Sequence, residues 1–280
     1  MRPLNRVLLV TTALCALGLA PACALAASCG VRVTLATHGD TRSSYAYVAP
    51  PAAQAVLLLL PGGGGHLRLD AQGCPRALTG NSLVRSLPLF QAQGYATALL
   101  DAPSDHEGED GLGGFRTAPE HARDLGRVIA DLRQRSGLPV WVIGTSRGAI
   151  SAAHTASRLQ GREAPDGVVL TSPVTVGNPR GTKPWVAQSV FDLPLDAITI
   201  PLLVIGHAQD KCLRSPASEN ERILARASSA RKQLVQVDGG PGRAGLSAVE
   251  ACEGRSPHGF VEQEAEVAAG IARFIRGGRY

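Results

Sequence analysis

The stretch VWVIGTSRGAIS, residues 140–151, decides the fold. Four apolar residues, two of them valine and one isoleucine, read as a short buried strand. They run into Gly144-Thr145-Ser146-Arg147-Gly148, and the small residues after Gly148 suit a helix. A serine between two glycines at a strand-to-helix corner has a mechanical explanation. The sharp turn lifts the hydroxyl above the sheet edge, and the glycines remove side chains that would strike the neighbouring strand and helix. The backbone N–H of the next residue, Arg147, then faces the point where negative charge develops in acyl transfer.

Working outward, five further apolar runs punctuate the chain, at residues 55–60, 95–100, 167–170, 202–205 and 234–237. Short continuous runs of this kind suit parallel strands covered on both faces. Residues 31–48 read instead as antiparallel edge strands. The clearest helix is 117–137, with Thr117 and Glu120 as a capping box, Pro119 in the first turn, and Leu125, Val128, Ile129 and Leu132 on one stripe. A last helix carries Val267, Ile271, Phe274 and Ile275 on one face. No repeat or linker divides the chain. Strands alternating with helices predict a single α/β domain of three layers, α/β/α, around a mostly parallel central sheet over residues 28–280.

The first 27 residues read differently. Arg2 and Arg6 precede an apolar run from Val7 to about Ala20, and Ala24-Leu25-Ala26 follows, the three-part layout of a cleaved secretory signal. The apolar run falls short of the roughly 20 residues of a spanning helix, so no stable membrane insertion is expected once the signal is removed. The expected location is periplasmic or secreted. Removing the two arginines leaves 28 − 2 = 26 basic against 23 acidic residues, and no basic run or aromatic-basic interleaving marks a nucleic-acid partner. Cys15 and Cys23 leave with the signal. Cys29, Cys74, Cys212 and Cys252 remain, an even number that suggests two disulfides in an oxidising compartment. No His/Cys cluster has zinc spacing, so the sequence assigns neither a metal nor a cofactor.

A serine hydroxyl attacks only when a histidine takes its proton, and a carboxylate must fix that histidine's tautomer. PLLVIGHAQDKC (201–212) places Asp210 in the loop after a strand, and GRSPHGF (254–260) places His258 before the last helix. His207 comes too early in the order to be the base and reads as a pocket or structural residue; Asp192 and Asp196 precede the strand. LLLLPGGGGHLRLD (57–70) puts four glycines after a buried strand, where backbone N–H groups can approach a substrate carbonyl. Gly63 and Gly64 are the expected donors there, with His66 as a possible pocket residue. The run lacks the Lys-Ser/Thr ending of a phosphate loop. DAPSDHEGEDGLGGF (101–115) mixes acids, His106 and glycines and reads as a mobile loop over the pocket rather than a metal site. Phe115, Trp185 and Phe191 are candidates for apolar lining.

With these residues assembled, the chain resembles an exported α/β-hydrolase over roughly residues 50–275. Pro61–His66 is similar to the oxyanion loop of that family, although the histidine follows the glycines here. Gly144–Gly148 is similar to the nucleophile elbow, Asp210 to the acid and His258 to the base. The resemblance implies the α/β-hydrolase fold and a serine hydrolase that cleaves a small-molecule carboxylic ester without a cofactor. A peptidase, an acyltransferase, or a non-catalytic binding protein on the same fold are the alternatives. If Asp210 and His258 meet, Cys212 and Cys252 fall in one neighbourhood, which predicts that pair and leaves Cys29 with Cys74.

Overall fold

The computed structural model describes residues 29–280 except Pro179, Arg243, Ala244 and the side chains of Pro184 and Trp185. The expected signal segment lies outside the described residues. The described residues form eight strands: β1 (Val31–Ala36), β2 (Arg42–Val48), β3 (Val56–Leu60), β4 (Ala96–Leu100), β5 (Val140–Thr145), β6 (Gly167–Thr171), β7 (Leu202–His207) and β8 (Lys232–Val237). They form one sheet in the order β1-β2-β4-β3-β5-β6-β7-β8. β1 with β2 and β2 with β4 are antiparallel, and every other pair is parallel. All six apolar runs are strands of this sheet, and residues 31–48 supply its antiparallel edge.

Among the described residues six helices complete the layers: α1 (Ser82–Arg85), α2 (Leu87–Ala92), α3 (Pro119–Ser136), α4 (Gly148–Arg158), α5 (Asn220–Arg226) and α6 (Glu264–Ile275). Because strand side chains alternate, β3 feeds both faces. Leu58 and Leu60 pack in one core with Leu125, Ile129 and Leu132 of α3 and Ala149 and Ala153 of α4. Leu57 and Leu59 pack in the other with Phe90 of α2 and Val267, Ile271 and Phe274 of α6. This double coverage is why the central strands are continuously apolar rather than alternating.

One cap differs from expectation. The N-cap of α3 is Ala118, with Pro119 at the first helical position and no side-chain cap. Thr117 belongs to the preceding 3-10 turn Phe115–Thr117, where its hydroxyl accepts from Gln188 Nε2 at 2.8 Å, and Glu120 pairs with Arg123. That turn buries Arg116, which draws Thr117 out of capping position. Gly137 ends α3 in the left-handed region, as its place in the sequence suggests.

The described residues form two disulfides, Cys29–Cys74 and Cys212–Cys252. No helix among the described residues is long and apolar enough to cross a membrane.

Candidate active site

β5 ends at Thr145 and α4 begins at Gly148, so Ser146 sits on the corner between them with φ 53°. A non-glycine residue held there costs on the order of 1–2 kcal/mol. The surroundings enforce it. A Cβ on Gly144 would lie 2.3 Å from Gly148 O, and one on Gly148 would lie 2.1 Å from Leu60 O. Both positions therefore exclude any side chain, and the Ser146 N–H is fixed to Thr171 O at 2.9 Å.

The glycine loop is placed by register. β3 and β5 run parallel with Leu60 opposite Gly144, so two residues further along each chain Gly62 comes level with Ser146. A Cβ on Gly62 would stand 2.9 Å from Ser146 Cβ and 3.5 Å from its Oγ. Gly62, Gly63, Ser146 and Arg147 line one cleft. Gly64, expected to be a donor, lies against Gly111, and its carbonyl accepts from Leu112 N–H at 2.8 Å. The Gly65 N–H is spent on Gly62 O at 3.1 Å. The glycine nearest the serine is thus one residue earlier than the sequence reading chose.

Asp210 follows β7, and His258 lies in the 3-10 turn Pro257–Gly259 ahead of α6. Forty-eight residues apart in sequence, they meet: His258 Nδ1 lies 2.8 Å from Asp210 Oδ2. Their side chains are 3% and 1% exposed, so little water competes for that bond. Asp210 Oδ1 accepts from Cys212 N–H at 2.8 Å, which leaves Oδ2 to the imidazole. With the carboxylate on one side, Nδ1 carries the proton and Nε2 is a lone-pair nitrogen. Nε2 is buried with no hydrogen-bond partner, and His258 lines the same cleft as Ser146.

The histidine turn has its own anchors. Ser172 Oγ donates to His258 O at 2.8 Å. The Arg85 guanidinium donates to Gly254 O and Gly259 O, both at 2.9 Å, and pairs with Glu264. Arg85 and Ser172 carry no motif, and the sequence reading missed both.

Ser146 stands where two arms of the cleft meet. One is lined by Gly80, Asn81, Ser82, Arg255 and His258. The other is lined by Val174, Val176, Leu213, Val249 and both cysteines of the Cys212–Cys252 disulfide. Val176, Leu213 and Val249 are three of the four exposed large apolar side chains among the described residues, Leu213 at 70% and Val249 at 75% exposed. Clustered exposed apolar side chains mark a surface that takes an apolar ligand.

Other expected residues lie elsewhere. His207 is a structural link: its Nδ1 accepts from Gln209 N–H at 3.0 Å and its Nε2 donates to Gln263 Oε1 at 2.7 Å. Gln263 in turn donates to Asp238 O at 2.8 Å, tying the ends of β7 and β8 to the start of α6. His66 is partly buried and lines neither arm. Phe115 stacks on His106 with ring centroids 4.2 Å apart, and Phe191 lies under Arg222 and Arg226. Residues 101–115 line neither arm of the cleft; they back the glycine loop from behind.

Behind that loop, Arg116 is fully buried without a carboxylate. Its guanidinium donates to Ser151 Oγ at 2.7 Å, Pro61 O at 3.2 Å and Gly63 O at 3.4 Å. Burial, with Arg147 nearby, works against its charge and pushes its pKa down to about 9. Ser151 Oγ, which accepts from Arg116, is also hydrogen-bonded to His121 Nε2 at 2.8 Å. Burial first, then the charge of Arg116, holds His121 well below the usual imidazole range and therefore neutral.

Neither a protein-family model nor a curated protein sequence matches the chain. Solved structures do. A cold-adapted esterase from an Arctic intertidal metagenomic library is similar with a TM-score of 0.58 at 15% identity, over 89% of this chain and 93% of that one. An esterase from Pyrococcus furiosus has a TM-score of 0.63 at 15% identity, over 89% and 91%. A soluble variant of monoglyceride lipase from Saccharomyces cerevisiae, in complex with a substrate analog, has a TM-score of 0.64 at 11% identity, over 91% and 96%. At such identities the likeness is one of architecture. With the strand order above, it establishes the α/β-hydrolase fold for this chain.

Proposed function

We propose that the protein is a serine hydrolase that cleaves a small carboxylic ester through an acyl-enzyme, with Ser146 as nucleophile, His258 as base and Asp210 as the orienting acid. The observation that carries this reading is the buried His258–Asp210 pair, its lone-pair nitrogen left without a partner in the cleft of the strained Ser146. Ser146 Oγ attacks the ester carbonyl as His258 Nε2 takes its proton. Asp210 stabilises the resulting imidazolium and keeps the ring in the productive tautomer. The oxyanion is held by the amide of Arg147 together with that of Gly62 or Gly63. Collapse expels the alcohol, which leaves with the proton from His258, and water repeats the sequence to release the acid. No step requires a cofactor. The apolar arm lined by Val176, Leu213 and Val249 suits a hydrocarbon portion of the substrate. Two disulfides are compatible with the exported location that the first 27 residues suggest.

The test is labelling with a fluorophosphonate probe alongside turnover of p-nitrophenyl esters of rising chain length. Ser146→Ala should lose labelling and lower turnover by roughly four to six orders of magnitude, and Asp210→Asn should cost about four orders with the fold intact. Labelling and near-wild-type turnover in Ser146→Ala would overturn the assignment.

A further inference from the structure

The 101–115 segment and the turn between β1 and β2 bring together three side chains that the chemistry above does not use. His38 sits in that turn, 67 residues before Asp105. His38 Nε2 lies 3.0 Å from Asp105 Oδ2, and His106 Nε2 lies 3.7 Å from the same oxygen. All three atoms fall within 4.8 Å of one another. Donors bound tetrahedrally at about 2.1 Å stand about 3.4 Å apart, so an ion needs only small ring rotations to close this triangle.

What separates this arrangement from a chance ion pair is the opposite edge of each ring. His38 Nδ1 is 2.5 Å from Asp124 Oδ2, and His106 Nδ1 is 3.0 Å from Gly111 O. Each imidazole thus turns Nδ1 to an oxygen behind it, which leaves Nε2 facing the shared point. That is how metal-ligating histidines are oriented in proteins. The Nε2–H by which His38 reaches Asp105 is the proton an ion would displace. Asp124 is itself buried and paired with Arg127, so its position does not depend on the ion. Phe115 stacks on His106 and lies 4.8 Å from His38, flanking both rings with an apolar surface. Asp105 is 42% exposed, which leaves a path from solvent and room for a water as fourth ligand.

We propose that His38, Asp105 and His106 form a site for one divalent transition-metal ion of the zinc class. Two imidazoles and one carboxylate suit zinc or cobalt rather than magnesium or calcium, which prefer oxygen ligands. The ion clips the β1–β2 turn to the segment after β4. The effect reaches the glycine loop, because His106 is joined to Gly111 O, a Cβ on Gly111 would lie 2.1 Å from Gly64 O, and Leu112 N–H donates to that carbonyl. The site's role is to brace; it stands apart from the cleft and takes no part in bond-making.

The test uses untagged, EDTA-treated full-length protein titrated with ZnCl2 and CoCl2. We expect one ion per chain with micromolar or tighter affinity, a cobalt visible spectrum of four-coordinate intensity, and slowed amide exchange over residues 104–112 on zinc addition. His38→Ala and His106→Gln should each abolish uptake. Asp124→Asn touches no ligand position and should weaken affinity about 10- to 100-fold. Circular dichroism reports whether each variant folds, and His106→Gln, at a half-buried loop position, serves if His38→Ala does not. Absence of uptake by the wild-type chain at 100 μM metal, on the order of a hundred times the weakest dissociation constant expected, or uptake unchanged in a folded His106→Gln, would overturn the proposal.

Discussion

Replacing both Cys212 and Cys252 by serine separates two roles that the disulfide could have. The bond joins positions 40 residues apart. Closing a loop of that size removes about 13 cal/mol/K from the unfolded chain, or about 4 kcal/mol at 25 °C, as an upper figure. The catalytic consequence should be much smaller, because His258 is held independently by Ser172 on its carbonyl and by Arg85 on Gly254 O and Gly259 O. What the bond shapes directly is the apolar arm, which both cysteines line. Urea unfolding should therefore lose about 3–4 kcal/mol. With p-nitrophenyl esters, kcat should change less than about tenfold, equivalent to 1.4 kcal/mol, and KM should rise most for long acyl chains. Amide exchange should accelerate over residues 245–253 before it does over 256–260. A stability loss below about 1 kcal/mol would refute the loop-closure argument. A kcat drop of three orders in folded protein would refute the independent anchoring of His258.

Gly62→Ala places a methyl 2.9 Å from Ser146 Cβ and 3.0 Å from Thr145 O; displacing the nucleophile should lower kcat on the order of 100-fold with little loss of fold, and near-normal kcat would mean the loop has room. Arg116→Met removes the clamp on Pro61 O and Gly63 O along with a buried charge, so stability should move by less than about 2 kcal/mol while kcat falls roughly five- to thirtyfold; urea curves and ester kinetics measure the two. Acid should weaken the fold through His121 and His154, both lowered from 6.5, chiefly by burial. The unfolded chain binds their protons first, so stability is full above about pH 6.5 and declines as pH falls toward the folded values, by at most about 1.4 kcal/mol per pH unit for each. In His121→Gln the slope of unfolding free energy between pH 6.5 and 5.5 should be shallower than in wild type; an unchanged slope would show that His121 is not held neutral.

The sequence alone determined the elements and their class. Residues 57–60, 96–100, 140–143, 167–170 and 202–205 are apolar, Thr97 apart, because both faces of the sheet are covered, and that pattern is visible without coordinates. The two-glycine setting of Ser146 is equally local, because each glycine there is required by a backbone within 2.3 Å. Contacts across the chain were only partly legible. The acid and histidine could be ordered along the sequence, but Gly62 rather than Gly64 beside Ser146 follows from Leu60 pairing with Gly144, a register no single strand encodes. Thr117 was misread as a cap because burial of Arg116 in the preceding turn is a tertiary demand. The 101–115 segment looked like a loose cover for the pocket because its partners, His38 and Asp124, lie on β1–β2 and α3 and leave no spacing to recognise. Tertiary structure decided these points, since a lone pair or a carbonyl acquires its partner only when distant backbones are packed together.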